Sequence, residues 1–422
     1  MANTAAVAVL GFFFWMIVAR YYNEGDVGLG AALLSAITLL ASISGMGVDT
    51  TMVRFLSTSK KPAELINSAL NIELIASLFL SVVYIAGINV WSPRMGFIRE
   101  QPVFILFFVI FVVGATLTTS VDAILIAKRR AEFVLFKNSL ISLLKLALPV
   151  VLVNYFHVFG IAGSWGISMS LITAIALLFL IPRIVQHYRP AFQLHAATIS
   201  RHWRYSAGNY IAALSGQAPA LILPIMTLNI LGTSQNAYFY TSWMIAALLF
   251  SVPGAISQSL FAENSHSPEE MRKNVKRSLW FVFLVLVPLV IGVILFGKWL
   301  LLLFGTKYSF NASRLLSILA ISSLFVALSS IYYSLLRVWG RIKELVVIYL
   351  SVALCVLVAS SLLMPRVGIV GIGYAWLGTQ VLVDIYILIS LLRRIYRDKQ
   401  RMKTEGTSTL QAKTDATIEG EH

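Results

Sequence analysis

The stretch from residue 11 to residue 56 constrains the fold most, because two long apolar segments flank the short polar turn YYNEGDVG. Crossing the hydrocarbon core of a bilayer takes roughly 20 helical residues at about 1.5 Å each. Each segment is long enough for one crossing, and Arg20 closes the first. The same alternation of apolar segment and polar turn recurs along the chain, which predicts a membrane protein.

Composition restricts the architecture to membrane helices. Of the 422 residues, 58% are hydrophobic and 12% are charged, and the mean hydropathy is +0.83, which no soluble globular class shows. Helices and closed barrels alone satisfy backbone polar groups in lipid, and these apolar runs lack the two-residue alternation of barrel strands. We therefore predict an all-α integral membrane protein. The single cysteine, Cys355, excludes an internal disulfide and a cysteine-based metal cluster.

Charged residues and clusters of Gly, Pro and Asn divide the chain into about twelve transmembrane spans. The predicted spans are 4–22, 28–53, 69–91, 103–127, 138–156, 159–182, 205–231, 236–262, 279–304, 312–336, 344–364 and 368–392. We expect them to form two six-helix lobes, in residues 1–182 and 205–396. Residues 183–204 are predicted to be a basic interfacial linker, and residues 397–422 to be a disordered cytoplasmic tail.

Lysine and arginine placement predicts the orientation. Most of the 33 basic residues lie in the tail and in the loops after even-numbered spans, and basic loops face the cytoplasm. Both termini are therefore predicted to be cytoplasmic, in a multi-pass protein of the cytoplasmic (inner) membrane. The same bias accounts for most of the net charge of +15, so attraction to anionic lipid explains this charge better than nucleic-acid binding does.

The two halves share short motifs. FGIAGSWG at 159–166 and VGIVGIGYA at 367–375 contain Gly-Ile-x-Gly, and each copy opens the last span of its half. LIAKRRAE at 125–132 similarly matches LLRVWGRIKE at 335–344, after the fourth span of each half. Six spans separate the copies, so the repeat is parallel. Transporters built from repeats place the substrate path between them.

Lys145 is the clearest candidate for chemistry, because a charge within a span is costly and faces a cavity or a partner. Asn138, Ser142, Lys145 and Pro149 fall on one side of the fifth span. Two interpretations are open at this point. Lys145 is a cationic wall for an anionic substrate, or it forms an ion pair with Asp122 of the neighbouring span.

Polar faces on other spans predict either a water-filled cavity or close packing of small residues. The candidate cavity-lining residues are Ser35, Thr38, Ser42 and Asp49 of the second span and Asn209 and Gln217 of the seventh.

Acids within the predicted spans and arginines near span ends complete the candidate set. Glu73, Asp122 and Asp384 are candidates for binding a coupling proton or sodium ion, the alternative being ion pairs with nearby arginines. Arg20 and Arg54 lie near span ends, where they either reach the membrane surface or bind substrate. A guanidinium suits phosphate because its forked donors form bidentate hydrogen bonds.

Catalytic patterns do not emerge from the sequence. The six histidines fall in predicted loops or the tail without paired metal-ligand spacing, and no Gly-x-x-x-x-Gly-Lys phosphate loop occurs. We therefore predict a protein that is not an enzyme, has no catalytic residues, and uses no metal or other cofactor.

The run FFFWMIVARYYNEGDVG resembles the opening of prokaryotic polysaccharide flippases, where an aromatic-rich helix ends in Ala-Arg and a glycine follows an acidic turn. Gly45, Gly47 and Arg54 match the end of the second helix in that family. Lys145 and the two Gly-Ile-x-Gly copies extend the resemblance across residues 1–396. The chain thereby resembles the multidrug/oligosaccharidyl-lipid/polysaccharide exporter superfamily.

The resemblance implies a function. The polysaccharide branch moves polyprenyl-pyrophosphate-linked oligosaccharide from the cytoplasmic to the outer leaflet, through a central cavity with alternating access, for surface polysaccharide biosynthesis. Arg20, Arg54 and Lys145 stand where such flippases carry cationic residues. The implied partners are the lipid-linked glycan, membrane lipids, and glycosyltransferases and the polymerase of the pathway. Fourteen-span members, including typical lipid II flippases, have a further helix pair, which argues against peptidoglycan precursor as cargo.

Three other functions compete with this interpretation. A multidrug and toxin extrusion antiporter has the same architecture but needs acidic groups in its cavity, for which Asp49, Glu73, Asp122 and Asp384 are candidates. A major facilitator transporter would show a Gly-x-x-x-Asp-Arg-like loop where this chain has RFLSTSKKPAE. A membrane glycosyltransferase or polysaccharide polymerase would need a large extracytoplasmic loop, and the predicted loops on that side are short.

Overall fold

A computed structural model describes residues 2–186, 188–194, 196–266 and 271–393. Within these ranges it describes all side chains except those of 2–6, 154–157, 196–206, 261–266 and 271–272. The described backbone is helical and contains no strand, which confirms the predicted all-α membrane fold. The predicted disordered tail lies outside the described residues.

Twelve long helices correspond in order to the twelve predicted spans. The first lobe contains α1 (Ala2–Tyr21), α2 (Glu24–Ser44), α3 (Pro62–Ala86), α4 (Pro102–Ala127), α5 (Ala131–Val153) and α6 (Val158–Ile184). The second contains α7 (Ala196–Leu231), α8 (Thr233–His266), α9 (Met271–Leu302), α10 (Thr306–Val338), α11 (Ile342–Val367) and α12 (Val370–Arg393). Eleven of them are long and apolar enough to cross a membrane, and α1 contributes the shorter apolar segment Val7–Tyr21.

Local sequence explains where helices begin. Asn23 precedes α2 and its side-chain oxygen accepts a hydrogen bond from the Asp26 amide at 2.8 Å, which satisfies one free donor of the first turn. Pro62 and Pro102 open α3 and α4, at the helical position where a missing N–H costs nothing.

The second predicted span is two helices rather than one. Residues 28–53 were expected to cross as a unit, but α2 ends at Ser44 and a short helix, Val48–Phe55, follows. Gly47 adopts a φ of 73° between them, a left-handed conformation that glycine adopts without steric cost. The short helix therefore leaves the axis of α2.

The Gly-Ile-x-Gly motifs form tight helical hairpins in both lobes. A Cβ on Gly160 would lie 3.1 Å from the Leu152 carbonyl oxygen, and one on Gly371 would lie 3.0 Å from the Leu363 carbonyl oxygen. Residues eight apart in a straight helix are separated by about 12 Å, so each chain reverses before its glycine. Glycine allows the last helix of each lobe to pack closely on the one before it.

Helix α2 lies at the centre of the molecule. It packs against α4 and α6 in its own lobe and against α7 and α8 of the other lobe. In its apolar window 72% of the residues are buried, compared with 17% for α9. Helix α2 therefore joins the lobes, while α9 presents most of its surface outward, as a lipid-facing helix does.

The segment between the lobes is attached to α3. Asn67 Nδ2 donates to the Arg189 carbonyl oxygen at 3.0 Å, and Asn71 Nδ2 donates to the Ala191 and Gln193 carbonyl oxygens at 2.9 and 3.2 Å. The two asparagines are one helical turn apart, and they bind every second carbonyl oxygen of the segment. Residues 188–194 of the predicted linker are therefore attached to the first lobe, whereas its residues 196–204 form the start of α7.

A buried ion pair joins α4 and α5. Lys137 Nζ lies 3.0 Å from an Asp122 carboxylate oxygen, with 2% of the lysine side chain exposed. Asn138 donates to the other Asp122 oxygen at 3.2 Å. The proposed pairing of Asp122 with Lys145 is therefore wrong, since α5 turns Lys137 toward that carboxylate. Asp122 is also a poor candidate for ion coupling, because its charge is already neutralised.

Removing one partner of this pair should be worse than removing both. We expect Asp122→Leu to lower the free energy of unfolding by about 3–5 kcal/mol, because a buried ammonium is left unpaired. The double variant Asp122→Leu/Lys137→Met should lose clearly less. Thermal unfolding of the detergent-purified protein measures both.

The exposed pair of Arg130 and Glu132, 3.3 Å apart, provides the matched control. Glu132→Ala should change stability by less than about 1 kcal/mol. If Asp122→Leu and the double variant Asp122→Leu/Lys137→Met lost the same free energy of unfolding, the unpaired Lys137 ammonium would not be destabilising, and the explanation by burial would be wrong.

Candidate functional site

A polar cavity lies between the two lobes near the ends of α2 and α7 that share one membrane face. We call this the interlobe cavity, and its volume is about 240 Å³. The loops after even-numbered spans lie at this face, which we call the basic face. The lining residues are Thr38, Ala41, Ser42, Gly45, Gly47, Asp49, Ala115, Thr118, Thr119, Trp165, Met169, Tyr210, Ala213, Leu214 and Gln217.

Four of the six predicted cavity residues line this space: Thr38, Ser42, Asp49 and Gln217. They meet because α2 and α7 pack together, and because the bend at Gly47 carries Asp49 back toward the lobe interface. Thr38 donates its hydroxyl to the Leu34 carbonyl at 2.8 Å, so an oxygen lone pair is available to the cavity.

The other two predicted residues do not line the interlobe cavity. Ser35 is buried, and its hydroxyl donates to the Ala31 carbonyl oxygen at 2.9 Å within α2. Asn209 is half-buried in the first half of α7. Ser35 therefore fits the alternative interpretation of this face, in which small residues permit close packing.

The cavity contains residues that sequence reasoning missed. Thr118 and Thr119 come from α4, where the run TLTTS is an available signal, and Trp165 comes from α6. Tyr210 follows Asn209 directly, and its hydroxyl donates to the Ile43 and Ser42 carbonyl oxygens at 2.9 and 3.2 Å. These carbonyls belong to the last turn of α2, so Tyr210 connects the lobes at the basic face.

Lys145 lies inside the first lobe against an aromatic ring. It is 8% exposed, and its Nζ lies 5.7 Å from the ring centroid of Phe14 on α1, within the range of a cation–π contact. Among the described residues no carboxylate lies within ion-pairing distance of this ammonium. The predicted polar face points inward, since Ser142 is also buried.

Tyr22, in the turn between α1 and α2, forms a hydrogen bond with the C-terminal part of α5, the helix that contains Lys145. Its hydroxyl donates to the Pro149 carbonyl oxygen at 2.8 Å. Burial raises the pKa of Tyr22 to about 12, and the nearby charge of Asp26 adds to the increase. The hydroxyl therefore stays protonated and continues to donate at physiological pH.

Arg20 and Arg54 lie at opposite membrane faces. Arg20 ends α1, and its Nε and Nη2 donate to the carbonyl oxygens of Leu303 and Leu302 at 2.8 and 2.9 Å. Arg54 is exposed on the short helix at the basic face, with its guanidinium carbon 5.6 Å from the Phe55 ring centroid. Arg20, Arg54 and Lys145 therefore lie at three different depths and do not form one cluster.

Further contacts join the lobes at the face of Arg20. Glu24 at the start of α2 lies 3.1 Å from Lys307 Nζ at the start of α10. Asn236 Nδ2 donates to the Gly28 carbonyl oxygen at 2.6 Å, and Asn229 Nδ2 donates to the Trp91 carbonyl oxygen at 2.7 Å. With Tyr210 at the basic face, the lobes are in contact on both sides of the membrane region.

Two acids, one buried and one half-buried, keep oxygens without hydrogen-bond donors among the described residues. Glu73 on α3 is fully buried, and Ser120 donates to one of its carboxylate oxygens at 2.6 Å, while the other has no donor. Both carboxylate oxygens of Asp384 on α12 and the Gln380 carbonyl oxygen one turn earlier are also unsatisfied. Carboxylates in such surroundings favour binding a proton or a cation.

Metal ligation receives no support from the described side chains. No group of three or more His, Cys, Asp or Glu residues in these ranges is arranged to hold a metal ion. All six histidines fall at positions whose side chains are not described.

Sequence comparison finds similarity over part of the chain. Residues 223–362 match the MatE family, which is about a third of the chain. A putative O-antigen transporter from Shigella flexneri is 27% identical over 170 residues, which cover 40% of this chain and 40% of that protein. The matched region thus spans less than half of the relative.

Solved structures with the same fold cover nearly the whole chain. The lipid II flippase MurJ in an inward closed conformation superimposes with a TM-score of 0.75 at 14% identity, over 92% of this chain and 86% of that one. An inward-facing multidrug resistance MATE family transporter gives 0.67 at 16% identity, over 92% and 96% of the two chains. A MOP superfamily transporter from Pyrococcus furiosus gives 0.58 at 16% identity, over 93% and 92%.

Enlarging Gly28 should push the lobes apart. A Cβ at this position would overlap the Thr233 carbonyl oxygen and lie 2.9 Å from the Ala237 amide nitrogen of α8. We expect Gly28→Ala to lower the free energy of unfolding by about 1–3 kcal/mol, because backbone atoms must shift. Thermal unfolding in detergent measures the loss.

Gly254→Ala is the matched control, since a Cβ there meets nothing within 4 Å. It should be neutral or slightly stabilising because alanine favours the helix. An unchanged midpoint for Gly28→Ala would show that the contact between α2 and α8 adjusts freely.

Proposed function

We propose that this chain belongs to the multidrug/oligosaccharidyl-lipid/polysaccharide exporter superfamily and that it is a flippase for polyprenyl-pyrophosphate-linked oligosaccharide. The cargo moves from the cytoplasmic to the outer leaflet and supplies surface polysaccharide biosynthesis. The observation that carries this proposal is Lys145, a buried ammonium with an aromatic neighbour and without a carboxylate partner among the described residues. The similarity to the putative O-antigen transporter and the MurJ-like fold support it.

The chemistry of Lys145 favours an anionic ligand. A charge that is buried away from water is stabilised by an ion-pair partner. Removing the partner is costly, because the remaining charge then has neither water nor an opposite charge beside it. Lys137 on the same helix is paired with Asp122 at 3.0 Å, so α5 contains one neutralised lysine and one lysine available for a ligand. Pyrophosphate has the charge and the acceptor oxygens to fill that role.

The interlobe cavity suits the sugar part of the cargo. Hydroxyl and amide groups of Thr38, Ser42, Thr118 and Gln217 line it, and such groups donate to and accept from glycan hydroxyls. At about 240 Å³ the cavity is smaller than the 300–1,000 Å³ or so typical of ligand pockets. The lobes must therefore separate to admit an oligosaccharide, as alternating access requires.

Ion coupling is assigned to the two acids with unsatisfied oxygens. Glu73 and Asp384 lie in different lobes, and each has at least one carboxylate oxygen without a donor among the described residues. A bound proton or sodium ion neutralises the charge of such a carboxylate, and the interior of its lobe becomes less polar. We expect Glu73→Gln and Asp384→Asn to fold normally and to weaken the dependence of transport on the ion gradient, measured in proteoliposomes.

The basic face is proposed to be cytoplasmic, in a multi-pass protein of the inner membrane that has both termini in the cytoplasm. Positive loops remain on the cytoplasmic side during insertion. On this assignment the glycosyltransferases of the pathway deliver cargo at the basic face, and the polymerase receives it at the face of Arg20.

A cation antiporter of the multidrug type is the second candidate. Asp49 lines the interlobe cavity and is its only carboxylate among the described lining residues, and an acidic cavity suits a cationic drug. The solved multidrug transporters share the fold but do not fit better than MurJ. Drug efflux that depends on Asp49, with no glycan phenotype, would favour this candidate.

Replacing Lys145 should impair flipping according to charge. In a deletion strain we expect Lys145→Ala to reduce outer-leaflet glycan about tenfold or more, because a lost charge-assisted hydrogen bond costs about 1.5–3 kcal/mol. Lys145→Arg should retain part of the activity. The measurement is the accumulation of lipid-linked glycan and the amount of surface polysaccharide.

Lys298→Ala is the matched control, because this exposed lysine lies near the outer end of α9. It should export as well as the unmodified protein. Normal export by Lys145→Ala would remove Lys145 from the site, and normal surface glycan in the deletion strain itself would overturn the flippase assignment.

A further inference from the structure

The two membrane faces carry a matched pair of contacts between the lobes. At one face Arg20 of the first lobe donates to the carbonyl oxygens of Leu302 and Leu303, where α9 ends. At the basic face Tyr210 of the second lobe donates to the carbonyl oxygens of Ser42 and Ile43, where α2 ends. In both cases a side chain of one lobe caps the C-terminus of a helix in the other.

Helix ends explain why these contacts are stabilising. The last four carbonyl groups of a helix have no partner within it, and leaving such a group unsatisfied away from water costs free energy. The Leu302 and Ile43 carbonyl oxygens also accept from the Gly305 and Met46 amides of their own lobes, at 3.1 and 3.4 Å. The donor from the opposite lobe adds a further hydrogen bond that exists only while the lobes touch. Each cap therefore links the hydrogen bonding of a helix end to the closure of one membrane face.

The two caps differ in strength. Arg20 is a cation at the negative end of the α9 dipole and donates two hydrogen bonds, and both features add stabilisation. Glu24 and Lys307 add an ion pair beside it at 3.1 Å. Tyr210 is a neutral donor that shares one hydroxyl between two carbonyls, so the contact at the basic face is the weaker one.

We propose that Arg20 and Tyr210 are reciprocal latches, each closing one membrane face, and that transport requires the two to open in turn. The proposal rests on the transport function above and assigns it two positioning residues. It also gives Arg20 a role besides binding cargo, because two of its five guanidinium N–H groups donate to the α9 carbonyls.

Cysteine accessibility tests the latches without any substrate. The native cysteine is replaced by Cys355→Ser, and Ala213→Cys places a single thiol on the lining of the interlobe cavity. A membrane-impermeant maleimide is added to intact cells or to inside-out vesicles, which exposes one membrane face at a time. The rate of labelling reports how often the cavity opens to each face.

Each latch variant should open one face only. We expect Arg20→Ala to raise labelling from the face of Arg20 about tenfold, and Tyr210→Phe to raise labelling from the basic face several-fold, consistent with the larger stabilisation by charged donors. Glu24→Lys should resemble Arg20→Ala, and the charge-swapped pair Glu24→Lys/Lys307→Glu should return toward the original rate.

Two controls remove similar side chains from contacts within one lobe. Arg314 donates to Tyr374 at 2.9 Å, and Tyr386 donates to Glu344 at 3.3 Å, all four residues being in the second lobe. Arg314→Ala and Tyr386→Phe should leave both labelling rates unchanged. If they raised the rates as much as the latch variants, lobe packing in general would explain the effect and the latches would be rejected.

The result separates the latches from the identity of the cargo. Unchanged labelling in Arg20→Ala and Glu24→Lys, or equal increases from both faces, overturns the proposal whatever the cargo is. Face-specific increases support the latches even if Lys145→Ala exports glycan normally. The latches and the flippase assignment can therefore fail independently.

Discussion

The closure of this molecule depends on how the terminal carbonyl groups of its helices are satisfied. Helices α2 and α9 end close to the lobe interface, and side chains of the opposite lobe cap both ends. Lipid supplies no hydrogen-bond donors, so a cap that is lost must be replaced by water or by another residue. Opening a face of the protein therefore requires water or another hydrogen-bond donor to reach that helix end.

Helix α2 of the first lobe contacts the second lobe near both of its ends. Its first turn packs on α8, where Gly28 permits backbone contact with Thr233, and its last turn receives Tyr210 from α7. The bend at Gly47 then directs Asp49 to the interlobe cavity. A single helix thus contacts the second lobe at both membrane faces and also lines the space between them.

Helix α5 shows how rotation of a helix decides the role of a charge. Lys137 and Lys145 are two turns apart, yet one is neutralised by Asp122 while the other lies against Phe14. A lysine that already has a carboxylate contributes to folding, and a lysine without one is available for an anionic ligand. The same distinction separates Asp122 from Glu73 and Asp384 among the acids.

The sequence by itself determined the membrane class, the number and order of the long helices, the parallel repeat and most of the polar cavity on α2, because apolar length and helical periodicity are local properties. Tertiary structure alone decided that α2 stops before Gly47, that Lys137 rather than Lys145 pairs with Asp122, and that Arg20 caps α9. Tertiary structure also placed Tyr210 and the two α4 threonines in the lining of the interlobe cavity. These contacts connect residues far apart in the chain, and they depend on the depth and rotation of packed helices, which local patterns do not contain.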